Sequence, residues 1–196
     1  MRQGECSRKT NETSVDLAIQ LDGAGKGDIS TGVGFFDHML DHIARHGLFD
    51  LRIAAKGDTH IDAHHTVEDV GICLGKAFNT ALGDARGISR YGHAVVPMDE
   101  ALAEATVDVS GRPFLVFNAD IPKVKLGDFD AELCEEFMRA FAMNARCTLH
   151  INLRYGANVH HCIEGIFKAV ARALRAAVTL DDRVQDVPST KGTLEV

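Results

Sequence analysis

Two copies of one short pattern stand far apart in the chain: His64-His65-Thr66-Val67-Glu68 and His160-His161-Cys162-Ile163-Glu164. On a helix, adjacent residues project about 100° apart, so the two histidines of a pair cannot comfortably share one ion. The glutamate lies four residues after the first histidine and three after the second, and it can join either. Imidazole plus carboxylate suits manganese, iron, zinc, cobalt or nickel, and no cysteine occupies a ligand position, which disfavours a structural thiolate zinc site. Two such clusters brought together by internal symmetry would build two ion sites, each drawing one histidine from each copy. The other histidines are His38, His42, His46, His60, His93 and His150. His46 closes a helical stretch and His150 points opposite Leu149 and Ile151 in a strand. Both are candidate extra ligands, whereas His60 and His93 read as surface.

A second chemistry is anion binding. Arg90 lies in Gly87-Ile88-Ser89-Arg90-Tyr91-Gly92, Arg112 in Ser110-Gly111-Arg112-Pro113, and Ser189 and Lys191 in Pro188-Ser189-Thr190-Lys191-Gly192. Guanidinium groups grip phosphate bidentately, Lys adds a point charge, and hydroxyls and loop N–H groups complete a cage. Each of these taken singly reads more readily as a solvated surface Arg or a frayed tail. No GxxxxGK[ST] or GxGxxG fingerprint supports nucleotide binding, and the HExxH helix and the GxSxG elbow are missing.

These residues need elements to hold them. Glu12 to Ile19 alternates as a strand, 22–27 is a turn, and Asp28 to Val33 reads as the return strand. Phe35 to His46 has helical periodicity with Gly47 as its stop. Leu48 to Ala55 is a strand, and Asp62 caps a helix from His64 to Leu82 that ends at Gly83. The second half repeats the order: strands over 104–111 and 115–119, a helix over 131–147, a strand over 148–154 and a helix from His160 to Val178. Glu12, Val15 and Asp16 align with Glu104, Val107 and Asp108 at an offset of 92, and the His-His pairs align at 96. A tandem duplication follows, and with it an α+β fold: one domain over 1–196, built from repeats of about 1–92 and 93–196.

The chain has 196 residues, 45% hydrophobic and 25% charged, as in ordinary soluble globular domains. A net charge of −7 argues against a general nucleic-acid binder, though a local basic cluster can still hold a small phosphorylated substrate. Five cysteines without a CxxC fit a reducing compartment. The polar start and the lack of a long apolar run suggest a cytoplasmic protein that does not enter a membrane.

Over nearly its whole length the chain resembles the imidazoleglycerol-phosphate dehydratases of histidine biosynthesis. The matching stretches are RKTNET (8–13), GFFDHMLDHIARHGLFDL (34–51), GDTHIDAHHTVEDVG (57–71), GISRYG (87–92), MDEALA (98–103), DVSGRP (108–113), TLHI (148–151), HHCIEGIFKA (160–169) and PSTKG (188–192). The resemblance implies a duplicated half-domain of ribosomal protein S5 domain 2-like type, with a mixed sheet and helices on one face. It implies a homo-oligomeric shell of 24 subunits with active sites at subunit interfaces and two Mn2+ per site. The implied metal ligands are His46, His64, His65, Glu68, His150, His160, His161 and Glu164. The implied phosphate clamp is Arg90, Arg112, Ser189 and Lys191 with Lys168 nearby. Glu12 falls on the family's catalytic glutamate, with Glu68 and Glu164 as further acid/base candidates. Glu12, His38, His46, His64, Glu68 and His160 are also expected to touch substrate. Three positions depart from the pattern: His42 where Gln is expected, Val159 for Ser, and Gly165 for Ala or Ser.

The implied reaction is a hydro-lyase step, from D-erythro-imidazole glycerol 3-phosphate to imidazole acetol phosphate and water. No carbonyl activates the C–H that is lost, so the substrate's imidazole must relay electrons, as a metal-bound imidazolate. Two other readings fit the residues alone. A binuclear hydrolase of a phosphorylated small molecule would release inorganic phosphate. A metal-storing shell would leave the Arg and Lys motifs without a task.

Overall fold

The computed structural model describes residues 1–194. Its elements come in two matching runs. The first is β1 (Gln3–Lys9), β2 (Thr13–Gln20), β3 (Gly27–Ser30), α1 (Gly34–Gly47), β4 (Asp50–Gly57) and α2 (His64–Leu82). The second is β5 (Tyr91–Met98), β6 (Ala101–Asp108), β7 (Phe114–Asn118), a small hairpin of β8 (Lys125–Leu126) and β9 (Phe129–Asp130), α3 (Leu133–Ala145), β10 (Thr148–Tyr155) and α4 (Val159–Val178). Each run builds one four-stranded mixed sheet, ordered β1-β2-β4-β3 and β5-β6-β10-β7. In both, two antiparallel pairings are followed by one parallel pairing. This is the expected α+β class.

Alternation explains the layers. Val15, Leu17 and Ile19 of β2 are buried, as are Ala103, Ala105 and Val107 of β6, while the residues between them face outward. The helices cover the inner faces and meet across the centre, α1 against α4 and α2 against α3. The aromatic core runs through that contact: Phe36 on Phe137, Phe137 on Phe167 and Phe78 on Phe141. Among the described residues no helix is long and apolar enough to cross a membrane.

Strand pairing corrects the internal alignment. Gly4 faces Ala77 and Ala81 as Gly92 faces Ala173 and Ala177. A Cβ would come within 1.9 Å of the Ala77 carbonyl oxygen at Gly4, and within 1.8 Å of the Ala173 carbonyl oxygen at Gly92, so each outer strand touches its helix backbone to backbone. The same registers set Asp16 against Glu104 and Glu12 against Glu100, not the 92-residue offset expected. A slip of four residues keeps every side chain on its face, so alternation cannot detect it.

Other local expectations also change. Residues 28–33 do not return along β2: β3 runs parallel to β4, which lies between them. β1 and β5 were not anticipated, because the inner face of β1 carries Gly4, Cys6 and Arg8, and that of β5 begins with Gly92 and Ala94 and reaches Val96 and Met98 only at its end. Gly47 stays inside α1, and Leu48 takes the left-handed closing conformation (φ 55°). α3 starts at Leu133, after the β8–β9 hairpin has used 129–130. Asp62 does accept the His64 amide at 2.8 Å, one residue ahead of a formal cap.

Candidate metal and anion site

The motif of α4 opens the helix. Asn158 caps it, accepting the amides of His160 and His161. The first turn turns Glu164 inward, to 5% exposure, and leaves both imidazoles half-buried. α1 docks here and brings its i, i+4, i+8 stripe of His38, His42 and His46. His160 Nε2 lies 3.1 Å and His38 Nε2 3.3 Å from Glu164 Oε2, and His42 Nε2 lies 3.3 Å from Oε1. Lys168, one turn further on, places its ammonium 2.5 Å from Oε1.

Burial opposes ionisation of Glu164. The Lys168 hydrogen bond and the charges of His42 and Lys168 outweigh it and hold the carboxyl down to about 2. Burial drives His42 the other way, to about 4, which keeps it neutral near neutrality. One ligand atom each from His38, His160 and Glu164 lies within 4.8 Å of the others. A buried carboxylate with two part-exposed imidazoles fits a divalent transition ion.

His38 thus occupies the place expected of His46. His46 stands one turn beyond His42, its ring stacked on that of His42 at 5.4 Å, outside the group of three. His150 is on the exposed face of β10, opposite Thr106 and Val116, and is not brought to the cluster. Lys168 belongs to the carboxylate cluster and not to the anion clamp.

The α2 motif does not meet the α4 motif within the chain. His64 and Glu68 are exposed at their helix end. His65 Nδ1 lies 3.0 Å from Asp58 Oδ2 and 3.8 Å from Glu12 Oε2. His161 Nδ1 lies 2.7 Å from Glu100 Oε2. The hydrogen bond to Asp58 raises the pKa of His65, and that to Glu100 raises the pKa of His161. A carboxylate on Nδ1 fixes the tautomer that leaves Nε2 for a metal, the arrangement metal-binding imidazoles use. Within each pair the rings stand 6.1 Å apart at 83°, so the two imidazoles serve different directions. Glu100 went unremarked in the sequence although it lies inside MDEALA; the true register identifies it as the counterpart of Glu12.

Glu12 sits on a braced turn. The Thr10 hydroxyl accepts the Glu12 amide at 3.1 Å and the Thr13 amide at 2.9 Å. Buried Asp69, next to Glu68 in α2, accepts the Thr13 hydroxyl and the Arg8 Nε.

The anion residues gather elsewhere. Arg90, Tyr91, Arg112, Pro188, Ser189, Thr190 and Lys191 line one open cleft of about 690 Å3. Arg90 is pinned by Asp108 (2.7 Å), which raises its pKa, and it donates to the Pro188 carbonyl at 2.7 Å. Arg112 is half-exposed, 3.5 Å from Asp108, with its guanidinium at the cleft mouth.

Comparison with known proteins identifies the family. A family model described as imidazoleglycerol-phosphate dehydratase matches residues 31–174. The imidazoleglycerol-phosphate dehydratase of Symbiobacterium thermophilum is 63% identical over 193 residues, covering 98% of this chain and 93% of the relative. That of Gluconobacter oxydans is 57% identical over 194 residues, covering 98% of each. The crystal structure of the Staphylococcus aureus enzyme superposes with a TM-score of 0.83 at 44% identity, covering 91% of this chain and 99% of that one. That of the Pyrococcus furiosus enzyme, in complex with (S)-C348, gives 0.82 at 36%, covering 96% and 99%. Matched over residues 31–174 by the family model and over nearly its whole length by these relatives, the chain belongs to the imidazoleglycerol-phosphate dehydratase family of hydro-lyases.

Proposed function

We propose that the protein dehydrates D-erythro-imidazole glycerol 3-phosphate to imidazole acetol phosphate and water in histidine biosynthesis, with two Mn2+ ions per active site. The observation that carries the reading is the convergence of His38, His160 and Glu164 in a chain that also holds a cleft built from two arginines, a serine and a lysine. A divalent cation held by His38, His160 and Glu164 would supply Lewis acidity towards an imidazole ring nitrogen of the substrate, which would ease loss of the neighbouring hydroxyl.

The chain's own groups do the rest. Arg112, Arg90, Ser189 and Lys191 bind the phosphate and hold the reacting carbons in register, so remote binding energy supports the chemical step. Glu12 is the acid/base group: its carboxylate is exposed beside His65 on a turn braced by Thr10 and Thr13, free to exchange a proton with the departing hydroxyl or the C–H. His38, His160 and Glu164 hold one ion, and His64 and Glu68 contribute to the other. His65 and His161 face away from their own helix's first histidine, so a complete ligand set needs a second copy of the chain. This supports a homo-oligomer, with the 24-subunit shell as its expected form, and an active site shared between subunits.

The test is turnover of the substrate by metal-stripped protein with and without added Mn2+, followed as ketone. Manganese-dependent ketone is the expected result. Release of inorganic phosphate would favour a binuclear hydrolase, and no reaction by folded, metal-loaded protein would overturn the assignment.

A further inference from the structure

We propose that Cys6 and Cys73 form a modifiable dithiol, which closes reversibly to a disulfide and staples β1 to α2 when the protein meets a low-molecular-weight disulfide oxidant.

The pairing follows from how β1 lies along α2. Inward positions of a strand recur every second residue, and one face of a helix recurs about every fourth. Gly4 meets Ala77, where a Cβ would come within 1.9 Å of the carbonyl oxygen. Four residues further along the strand and two turns back along the helix, Arg8 Nε donates to Asp69 Oδ1 at 2.7 Å. The rung between these two is Cys6 against Cys73. Burial first, and then the Cys6 thiol beside it, push the Cys73 thiol up.

The second repeat shows how narrow this rung is. There β5 lies along α4 in the same register, with Gly92 against Ala173, and the positions equivalent to Cys6 and Cys73 hold Ala94 and Ala169. Two alanines that fill a rung have Cβ atoms about 4 Å apart, the spacing that a disulfide requires. The first repeat alone puts sulfur on both sides of the gap.

Cys6 is half-buried and the other four cysteines are buried, so Cys6 meets the oxidant first. Its thiolate attacks the small disulfide, an S–S bond to Cys6 forms, and one small thiolate leaves. Cys73 then attacks the Cys6 sulfur, and the second small thiolate leaves. Each leaving thiolate ends with the proton of one protein thiol, so two protein thiols and one small disulfide become one protein disulfide and two small thiols. The apolar surroundings of Cys73 stabilise no thiolate, which gives the reduced pair no advantage over the disulfide. The cross-link closes a long loop across most of the first repeat and narrows the unfolded ensemble. One rung away, Asp69 accepts the Thr13 hydroxyl beneath the Glu12 turn, so the staple also fixes the base of that turn.

Oxidation of reduced, folded, full-length protein with oxidised glutathione tests this. Trypsin cuts after Lys and Arg, which leaves Cys6 in a peptide of residues 3–8 and Cys73 in one of residues 57–76. The expected result is a species linking these two peptides, the loss of two of the five thiols, and a rise in the urea midpoint that dithiothreitol reverses. Cys6→Ala, which copies the second repeat, should keep its thiol count and its midpoint under the same treatment. Cys73→Ala should stop at a glutathione adduct on Cys6. The proposal is overturned if the unaltered protein keeps all its thiols, stops at that adduct, links Cys6 or Cys73 to another cysteine, or gains no resistance to urea.

Discussion

The two His-His-x-x-Glu helix ends share a sequence pattern and a backbone, yet their surroundings set them different tasks. At α4, helix α1 closes over the motif and buries Glu164 among His38, His42, His160 and Lys168. At α2, the glutamate and first histidine stay open. The carboxylates behind the second histidines differ as well. His161 takes the Glu100 carboxylate, and that bond, with the Asn158 amide, pulls the Glu100 pKa down to about 2. His65 takes Asp58 instead, which leaves Glu12, the counterpart of Glu100, at 3.8 Å and uncommitted. Of two symmetric glutamates, one orients a histidine, and the other has no histidine to orient because a third carboxylate takes that place. Duplication supplies the parts, and a single extra side chain, Asp58, makes the two copies pair differently.

Substitution of the paired glutamates tests this most directly. Glu12→Gln is expected to lower kcat by about 10³-fold, within the range typical of a positioned acid/base group, while substrate binding holds. Glu100→Gln is expected to cost less than about tenfold. Steady-state kinetics on both variants decide it, and equal losses would dissolve the distinction between the copies.

The two sheets should behave alike where their geometry is alike. Gly4→Ala and Gly92→Ala each drive a methyl into a helix backbone carbonyl, and each should cost about 3 kcal/mol by overpacking. Urea denaturation of both variants measures it; a large difference would mean that the halves contribute unequally to stability. The anion cleft, by contrast, has no full counterpart in the first repeat, since Ala24 stands at the position equivalent to Arg112. Arg112→Ala should raise KM at least about tenfold with metal content unchanged. An unchanged KM would remove Arg112 from the clamp.

The smallest effect concerns His161. In metal-free protein its NMR titration midpoint should lie above 6.5 and return towards 6.5 in Glu100→Gln. A raised folded pKa means that the pair's stabilisation is present below about 6.5 and fades as pH rises through the folded midpoint. A midpoint unmoved by Glu100→Gln would show that the pairing does not hold in solution.

Much of this was legible in the sequence. The two motifs, α2, α4, most of the inner strands and the duplication follow from periodicity and repetition, because the buried stripes there are made of ordinary apolar residues. The choice between His38 and His46 was not legible. Both lie on one i, i+4, i+8 stripe, and only the docking of α4 selects the turn that meets Glu164. Alternation put His150 opposite Leu149 and Ile151, and in β10 that is the outer face, away from the cluster within the chain. The strands β1 and β5 escaped because close contact with a helix backbone calls for glycine at Gly4 and Gly92, and the rest of each inner face, Cys6 and Arg8 or Ala94, Val96 and Met98, makes too short an apolar alternation to stand out.

The crosswise packing of helices has a consequence for how the chain folds. Since α1 is covered by α4 and α2 by α3, neither repeat covers its own helical layer. Each half alone would expose the apolar side of its helices to water, so the repeats are not independent folding units despite their matching topology. A chain cut in the 84–88 connection should therefore yield two fragments that stay unfolded apart and recover structure only when mixed.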